Sequence, residues 1–139
     1  MDMTRLVTQL QVDEGVRLKP YRDSVGKLTI GVGRNLDDVG VSLEEATLML
    51  EHDVRRTEVG LDANLPWWRE MNDARQNVIM NMGFNLGIRK LLGFTNTLRA
   101  MEQGDWEAAA TGMLASKWAG QVGERAVRLS KIMRTGRFQ

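Results

Sequence analysis

The sequence contains no cysteine and a single histidine, His52. Thiol nucleophiles, disulfide staples and cysteine-ligated metal sites are excluded by the first absence. One imidazole leaves little basis for a zinc site or a Ser-His-Asp triad. No apolar run is long enough to span a bilayer, and the opening MDMTRLVTQLQVDEG lacks the basic flank and apolar stretch of a Sec signal peptide. Proline occurs only at Pro20, which confines its strand to a sheet edge, and at Pro66, which suits the first position of a short helix. No repeat, low-complexity tract or linker is visible.

What is present suits one domain, or two small lobes around one core: 139 residues, 42% of them hydrophobic, enough to bury a real interior. The net charge of +1 is unevenly distributed. Lys117, Arg125, Arg128, Lys131, Arg134 and Arg137 face only Glu124 in the last stretch of the chain. Such a segment attracts a polyanion or simply forms a solvated helix face, and the charge count favours the second.

The pattern along the chain is mainly helical. Met3, Leu6, Val7 and Leu10 follow a helical period that Gly15 stops. Asp23 and Gly26 suit the ends of a type I turn, and Lys27–Ile30 reads as a strand, giving one hairpin and no other β-structure. Ser42 and Glu45 form a capping box, and Leu43, Ala46, Thr47, Leu50 and Val54 continue it as an amphipathic helix to about Val59. Further helices are predicted from Pro66 with Trp67 and Trp68, from Asn72 to Gly87, from Thr95 or Asn96 to Gly104, after Asp105, and from about Gly123 to Thr135. The predicted class is α+β, mainly α.

Several side chains could carry chemistry, and each also has an ordinary structural role. Glu14 ends the first helix, where the macrodipole disfavours a negative charge and so favours the protonated form that a general acid needs. Asp23 is a preferred turn residue, and Thr29 is a β-branched strand residue. Gly31-Val-Gly33 lacks the third glycine and helix start of a dinucleotide loop, and suits a chain turning closely beside a ligand or another backbone segment. Trp67, Trp68, Trp106 and Trp118 stand at helical spacing among Met and Leu, which favours core over sugar platforms. His52 and Asp53 read as a solvated pair. Arg125 lies in a first helical turn, where the dipole opposes a cation; a specific anionic partner and an ordinary surface position are the two readings.

Taken together these pieces are more specific. DEGVRLKPYRDSVGKLTIGVGRN, residues 13 to 35, resembles the phage-type lysozymes (endolysins) of glycoside hydrolase family 24. MGFNLG and FTNTLR within residues 82 to 99, then SKW and ERAVRLSKIMRTG within residues 116 to 136, follow in the same order. The resemblance implies a single lysozyme domain over 1–139. A hairpin lobe at about 13–40 and a linking helix at about 42–59 would be joined by a helical lobe at about 60–139 that includes the N-terminal helix, with a cleft between the lobes. It implies Glu14 as the catalytic acid, Asp23 and Thr29 as the pair that activates water, and Arg125 as the arginine that orients the acid. Asn35, Phe84, Thr97 and Gly112 match the glycan contacts.

The implied activity is endo-acting hydrolysis of the β-1,4 bond between N-acetylmuramic acid and N-acetylglucosamine in bacterial peptidoglycan. No metal or cofactor is required. The protein is expected to be a monomer without nucleic-acid or stable membrane partners, made in a host bacterial cytoplasm and released to the wall, holin-dependently. A lytic transglycosylase is the first alternative, opposed by the presence of both Asp23 and Thr29. A non-catalytic wall- or nucleic-acid-binding module is the second, opposed by intact Glu14 and Asp23. Three departures from the family stand out: a shortfall between Arg34 and Ser42, Arg34 in place of a histidine, and Gly112 in place of an asparagine. They bear on substrate affinity and wall chemotype more than on the reaction.

Overall fold

The computed structural model describes residues 1–139 and divides them into two compact units, 1–49 and 50–139. The α+β class holds: the chain forms eight α-helices, a 3-10 helix and one small antiparallel sheet. No helix is long and apolar enough to cross a membrane.

The first unit contains α1 (Met3–Glu14), β1 (Arg17–Arg22), β2 (Leu28–Gly31), β3 (Arg34–Asn35) and the start of α2 (Leu43–Asn64). Asp2 caps α1 by accepting from the Arg5 N–H, and the Gly15 N–H closes it on the Gln11 carbonyl. The helix is where the periodicity puts it, yet none of its residues is buried, and Met3, Val7 and Leu10 remain exposed. The sheet order is β1-β2-β3, so β2 is central and the strand carrying Pro20 is an edge, as expected. β3 goes beyond the predicted hairpin. At two residues it is too short to show an alternating pattern, and side-chain bonds described below extend its hold on β2. Thr29 is the one buried residue in this unit. Polar contacts, not an apolar core, fix its loops.

The capping box is closed both ways: the Ser42 N–H donates to Glu45 Oε1 at 2.9 Å, and the Glu45 N–H to Ser42 Oγ at 3.1 Å. α2 then runs to Asn64, five residues past the expected end: Gly60 is a possible stop but does not take the positive φ of a helix-ending glycine, and the helix continues through it. Its buried residues are Thr57 and Leu61, whereas Leu43 and Leu50 of the predicted apolar stripe are exposed.

The second unit holds the apolar core. After a 3-10 helix at Pro66–Glu70 come α3 (Asp73–Leu86), α4 (Ile88–Leu91), α5 (Thr95–Glu102), α6 (Trp106–Leu114), α7 (Lys117–Val122) and α8 (Glu124–Thr135). Asn72, Asp105 and Ser116 each accept a backbone N–H at a helix start. The short α4 and α7 were not foreseen, since four and six residues carry too little periodicity to read. α3, α5 and α6 surround α8 or one another around Met82, Met101, Met113 and Met133, all essentially inaccessible. Unbranched methionines fill the irregular space between short helices, each such side chain contributing roughly 1.5–3 kcal/mol by burial. Trp68 and Trp118 are buried, with Trp67 and Trp106 packed against the same core, as their spacing predicted.

Candidate functional site

Glu14 and the Gly31–Gly33 turn meet within the first unit. A Cβ built on Gly33 would stand 3.1 Å from Glu14 Oε2 and 3.4 Å from its carboxyl carbon. Gly33 also has φ of +68°, so a residue with a side chain would be strained there and would press on the acid. The close passage therefore exists at Gly33, but what the turn passes is a side chain, the Glu14 carboxylate, and not the expected backbone segment. That carboxylate makes no salt bridge within the first unit, which leaves its oxygens available.

Asp23 and Thr29 converge on one residue, Lys27. Asp23 Oδ1 accepts the N–H groups of Val25 at 3.0 Å and Lys27 at 2.8 Å. Its own N–H donates to the Lys27 carbonyl at 2.9 Å, and Gly26 N–H donates to the Asp23 carbonyl at 3.0 Å, closing the expected turn. Thr29 Oγ1 donates to the same Lys27 carbonyl at 2.9 Å. The turn thus uses one Asp23 oxygen fully, while Thr29 keeps only acceptor capacity. Both the ordinary turn role of Asp23 and a second use of its carboxylate are compatible with this geometry.

Arg34 also organises the short loop that follows it. Arg34 forms a fork on Glu45, Nη1 to Oε1 at 2.9 Å and Nη2 to Oε2 at 2.6 Å, and Nη1 also donates to the Gly40 carbonyl at 3.0 Å. Glu45 is held down to about 2 by the Arg34 hydrogen bonds first and by Ser42 next. Arg34 thereby ties β3 to the start of α2 across the short loop. Sequence reasoning read Glu45 only as a capping residue and missed this second use. Asn35 is also engaged locally, its Nδ2 donating to Asp38 Oδ2 at 2.9 Å and its Oδ1 accepting from the Asp38 N–H at 3.0 Å.

In the second unit, Thr97 and Gly112 are neighbours: a Cβ on Gly112 would fall 2.3 Å from Thr97 Oγ1. They line a depression of about 640 Å³ with Lys90, Phe94, Lys117 and Trp118. Phe84 lies elsewhere, in a depression of about 320 Å³ with Asp53, Arg56, Thr57 and Ile88. Arg125 occupies the first turn of α8 as predicted, and its Nε and Nη2 both donate to Asn81 Oδ1, at 3.0 and 2.8 Å. Asn81 had drawn no attention in the sequence, because an asparagine within a helix carries no signal of its partner. Asp53 pairs with Arg56 rather than with His52, since residues three apart share a helix face and adjacent ones do not. No cluster of three or more His, Cys, Asp or Glu side chains is placed to hold a metal ion.

Comparison with known proteins follows from this layout. Residues 11–134 match the family described as phage lysozyme. The chain is 30% identical over 162 aligned positions to the pre-baseplate central spike protein Gp5 of Enterobacteria phage T4, with 96% of this chain covered but only 28% of that protein. It is 26% identical over 156 positions to probable T4-type lysozyme 1 of Dictyostelium discoideum, covering 91% of this chain and 92% of the relative. Against the endolysin of Salmonella phage P22 the identity is 29% over 125 positions, covering 83% and 82%. The first two alignments are longer than the chain, so those relatives carry residues that it lacks.

Proposed function

Because the chain belongs to the phage lysozyme family, we propose that it is a muramidase, hydrolysing the β-1,4 bond between N-acetylmuramic acid and N-acetylglucosamine in bacterial peptidoglycan. The observation that carries this reading is the order of Glu14, Asp23 and Thr29 inside the matched residues 11–134. Glu14 protonates the glycosidic oxygen as the bond to the sugar carbon breaks. A water donates one hydrogen to the free Asp23 oxygen and the other to Thr29 Oγ1, whose own hydrogen is committed to Lys27. The water's lone pair then faces the sugar carbon, and Asp23 takes the proton it releases. Attack opposite the leaving group inverts the anomeric centre, the outcome expected of two carboxyl groups separated by a water.

Arg125 orients the acid in this reading, and Phe84, Thr97, Gly112 and Asn35 contact the glycan. Gly112 contributes only backbone and space, and Asn35 reaches sugar only by giving up its bonds to Asp38. The substrate is reached at the cell wall after release from the host cytoplasm.

The test is product analysis by mass spectrometry on purified peptidoglycan. Hydrated reducing-end muramic acid is the expected product. A 1,6-anhydro ring, lighter by one water, would identify a transglycosylase, and binding without cleavage would identify a wall-binding module. Glu14→Gln keeps the shape of the acid and removes its transferable proton, so clearing of permeabilised cells should fall by at least about 100-fold.

A further inference from the structure

We propose that Asp37 is a positioning residue for the water-handling pair, acting through the backbone of Lys27 and Leu28. The inference rests on the roles given to Asp23 and Thr29 above.

β2 and β3 pair through Thr29 with Asn35 and Ile30 with Arg34, after which β3 ends. One further ladder bond follows, Leu36 N–H to the Leu28 carbonyl at 2.7 Å. An antiparallel pair of this kind exchanges two bonds, and the second should run from the Leu28 N–H to the Leu36 carbonyl. Here the Leu28 N–H instead donates to Asp37 Oδ2 at 2.8 Å. The Asp37 carboxylate takes the place of a strand carbonyl and extends the sheet by one residue beyond the end of β3.

Leu28 sits between the two residues that matter. Lys27, which precedes it, receives the Asp23 carboxylate on its N–H and the Thr29 hydroxyl on its carbonyl. Thr29 follows it. Leu28 directs its backbone groups towards β3, while the Lys27 carbonyl is engaged from the β1 side by the Asp23 N–H. The peptide segment that sets Asp23 and Thr29 is thus held from one side by the turn and from the other by Asp37 together with the Leu36 N–H. Two neighbouring contacts act in the same sense: Lys27 Nζ donates to Asp38 Oδ1 at 3.1 Å, and Arg22 Nη1 stands 3.8 Å from Asp37 Oδ2. With no apolar core in this unit, these contacts and the single Leu36 N–H bond to the Leu28 carbonyl hold the start of β2 from that side.

The test compares Asp37→Ala with Asp37→Asn in the full chain. Asn retains an acceptor oxygen for the Leu28 N–H and loses only the charge near Arg22, so it should rescue. Amide hydrogen exchange is expected to accelerate at Leu28, Lys27 and Val25 in Asp37→Ala and to stay near native in Asp37→Asn. On peptidoglycan, kcat should fall about tenfold in Asp37→Ala with little change in KM, less than the roughly 100-fold that a 1 Å misplacement can cost. Rescue of both readouts by Asn supports the inference. Faster exchange confined to Leu28, unchanged kcat in Asp37→Ala, or equal damage by both substitutions overturns it. If the native chain does not cut peptidoglycan, the proposed activity falls by itself. The exchange rates at Val25 and Lys27 still decide whether Asp37 sets the Asp23 turn.

Discussion

Restoring a side chain at Gly112 tests how closely α5 and α6 approach. In Gly112→Ala the new Cβ would meet Thr97 Oγ1 at 2.3 Å, well inside any tolerated contact. Thr97 is only 6% exposed, so swinging Oγ1 aside means a χ1 change between its two helical rotamers within packed surroundings. Overpacking of this kind costs about 1–3 kcal/mol. Against it stands the helix-propensity gain of alanine over glycine within α6, about 1 kcal/mol. The single substitution should therefore be destabilising by up to about 2 kcal/mol.

Thr97→Ala removes the oxygen and leaves the threonine Cβ position at 3.4 Å, an ordinary contact. In that background the same Gly112→Ala change should stabilise by up to about 1 kcal/mol. A double-mutant cycle by urea titration would measure the difference, a coupling of about 1–3 kcal/mol. Thermal melts should report it as a change of sign in the Tm shift. If Gly112→Ala stabilises equally in both backgrounds, the helices do not meet as closely as described, and the glycine has no steric reason to stand there.

Three further outcomes follow from the same kind of geometry. Glu45 has its carboxyl lowered to about 2 from about 4.5, so its contribution to stability is present above about 4.5 and disappears as pH falls towards 2; the stability gap between native and Glu45→Gln protein, from denaturant titrations across that range, should close on acidification. Arg75 donates to the Met133 and Arg134 carbonyls and lies 3.9 Å over the Trp106 ring, so Arg75→Ala should lose about 2–4 kcal/mol by the same titration, with Arg75→Lys recovering only part because it lacks the planar fork. Neutralising Arg128, Lys131 and Arg134 together should flatten the salt dependence of wall binding in a pelleting assay while barely altering turnover of small uncharged chitooligosaccharides, and equal loss on both would give these residues a structural role.

Much of this architecture was legible because it is written in local chemistry. The caps at Asn72 and Asp105, the box of Ser42 and Glu45, and the Asp23–Gly26 turn each need only three or four consecutive residues, and each formed as read. What escaped needs either length or distance. β3, α4 and α7 are too short for a period to emerge. Burial of α1 and of the first half of α2 does not follow from their periodicity, which fixes which residues share a face but not what covers it. In the candidate site, the types and order of Glu14, Asp23 and Thr29 were visible. Their immediate surroundings were not: Gly33 against Glu14, Asn81 against Arg125 and Arg34 against Glu45 join residues far apart in sequence, and no local rule selects such partners. Asp37 was hidden for a different reason, since a carboxylate that substitutes for a strand carbonyl looks in sequence like any loop acid.

The grip of Arg75 on α8 bears on the order in which the helical unit assembles. Its guanidinium reaches the carbonyls of Met133 and Arg134, and Asn72 Nδ2 reaches that of Gly136 at 2.9 Å, so the N-terminal turn of α3 is joined to the end of α8 across most of the unit. Burial already lowers the Arg75 guanidinium from its ordinary value, and these carbonyls are what compensate it. During synthesis α3 emerges long before α8, with its arginine lacking acceptors and its apolar face lacking a cover. Closure must then await the last helix, and a long loop is closed in one late step. Ribosome-bound chains that stop before Met133 should therefore hold α3 as a transient helix open to protease, with protection arriving abruptly once Gly136 has cleared the exit tunnel.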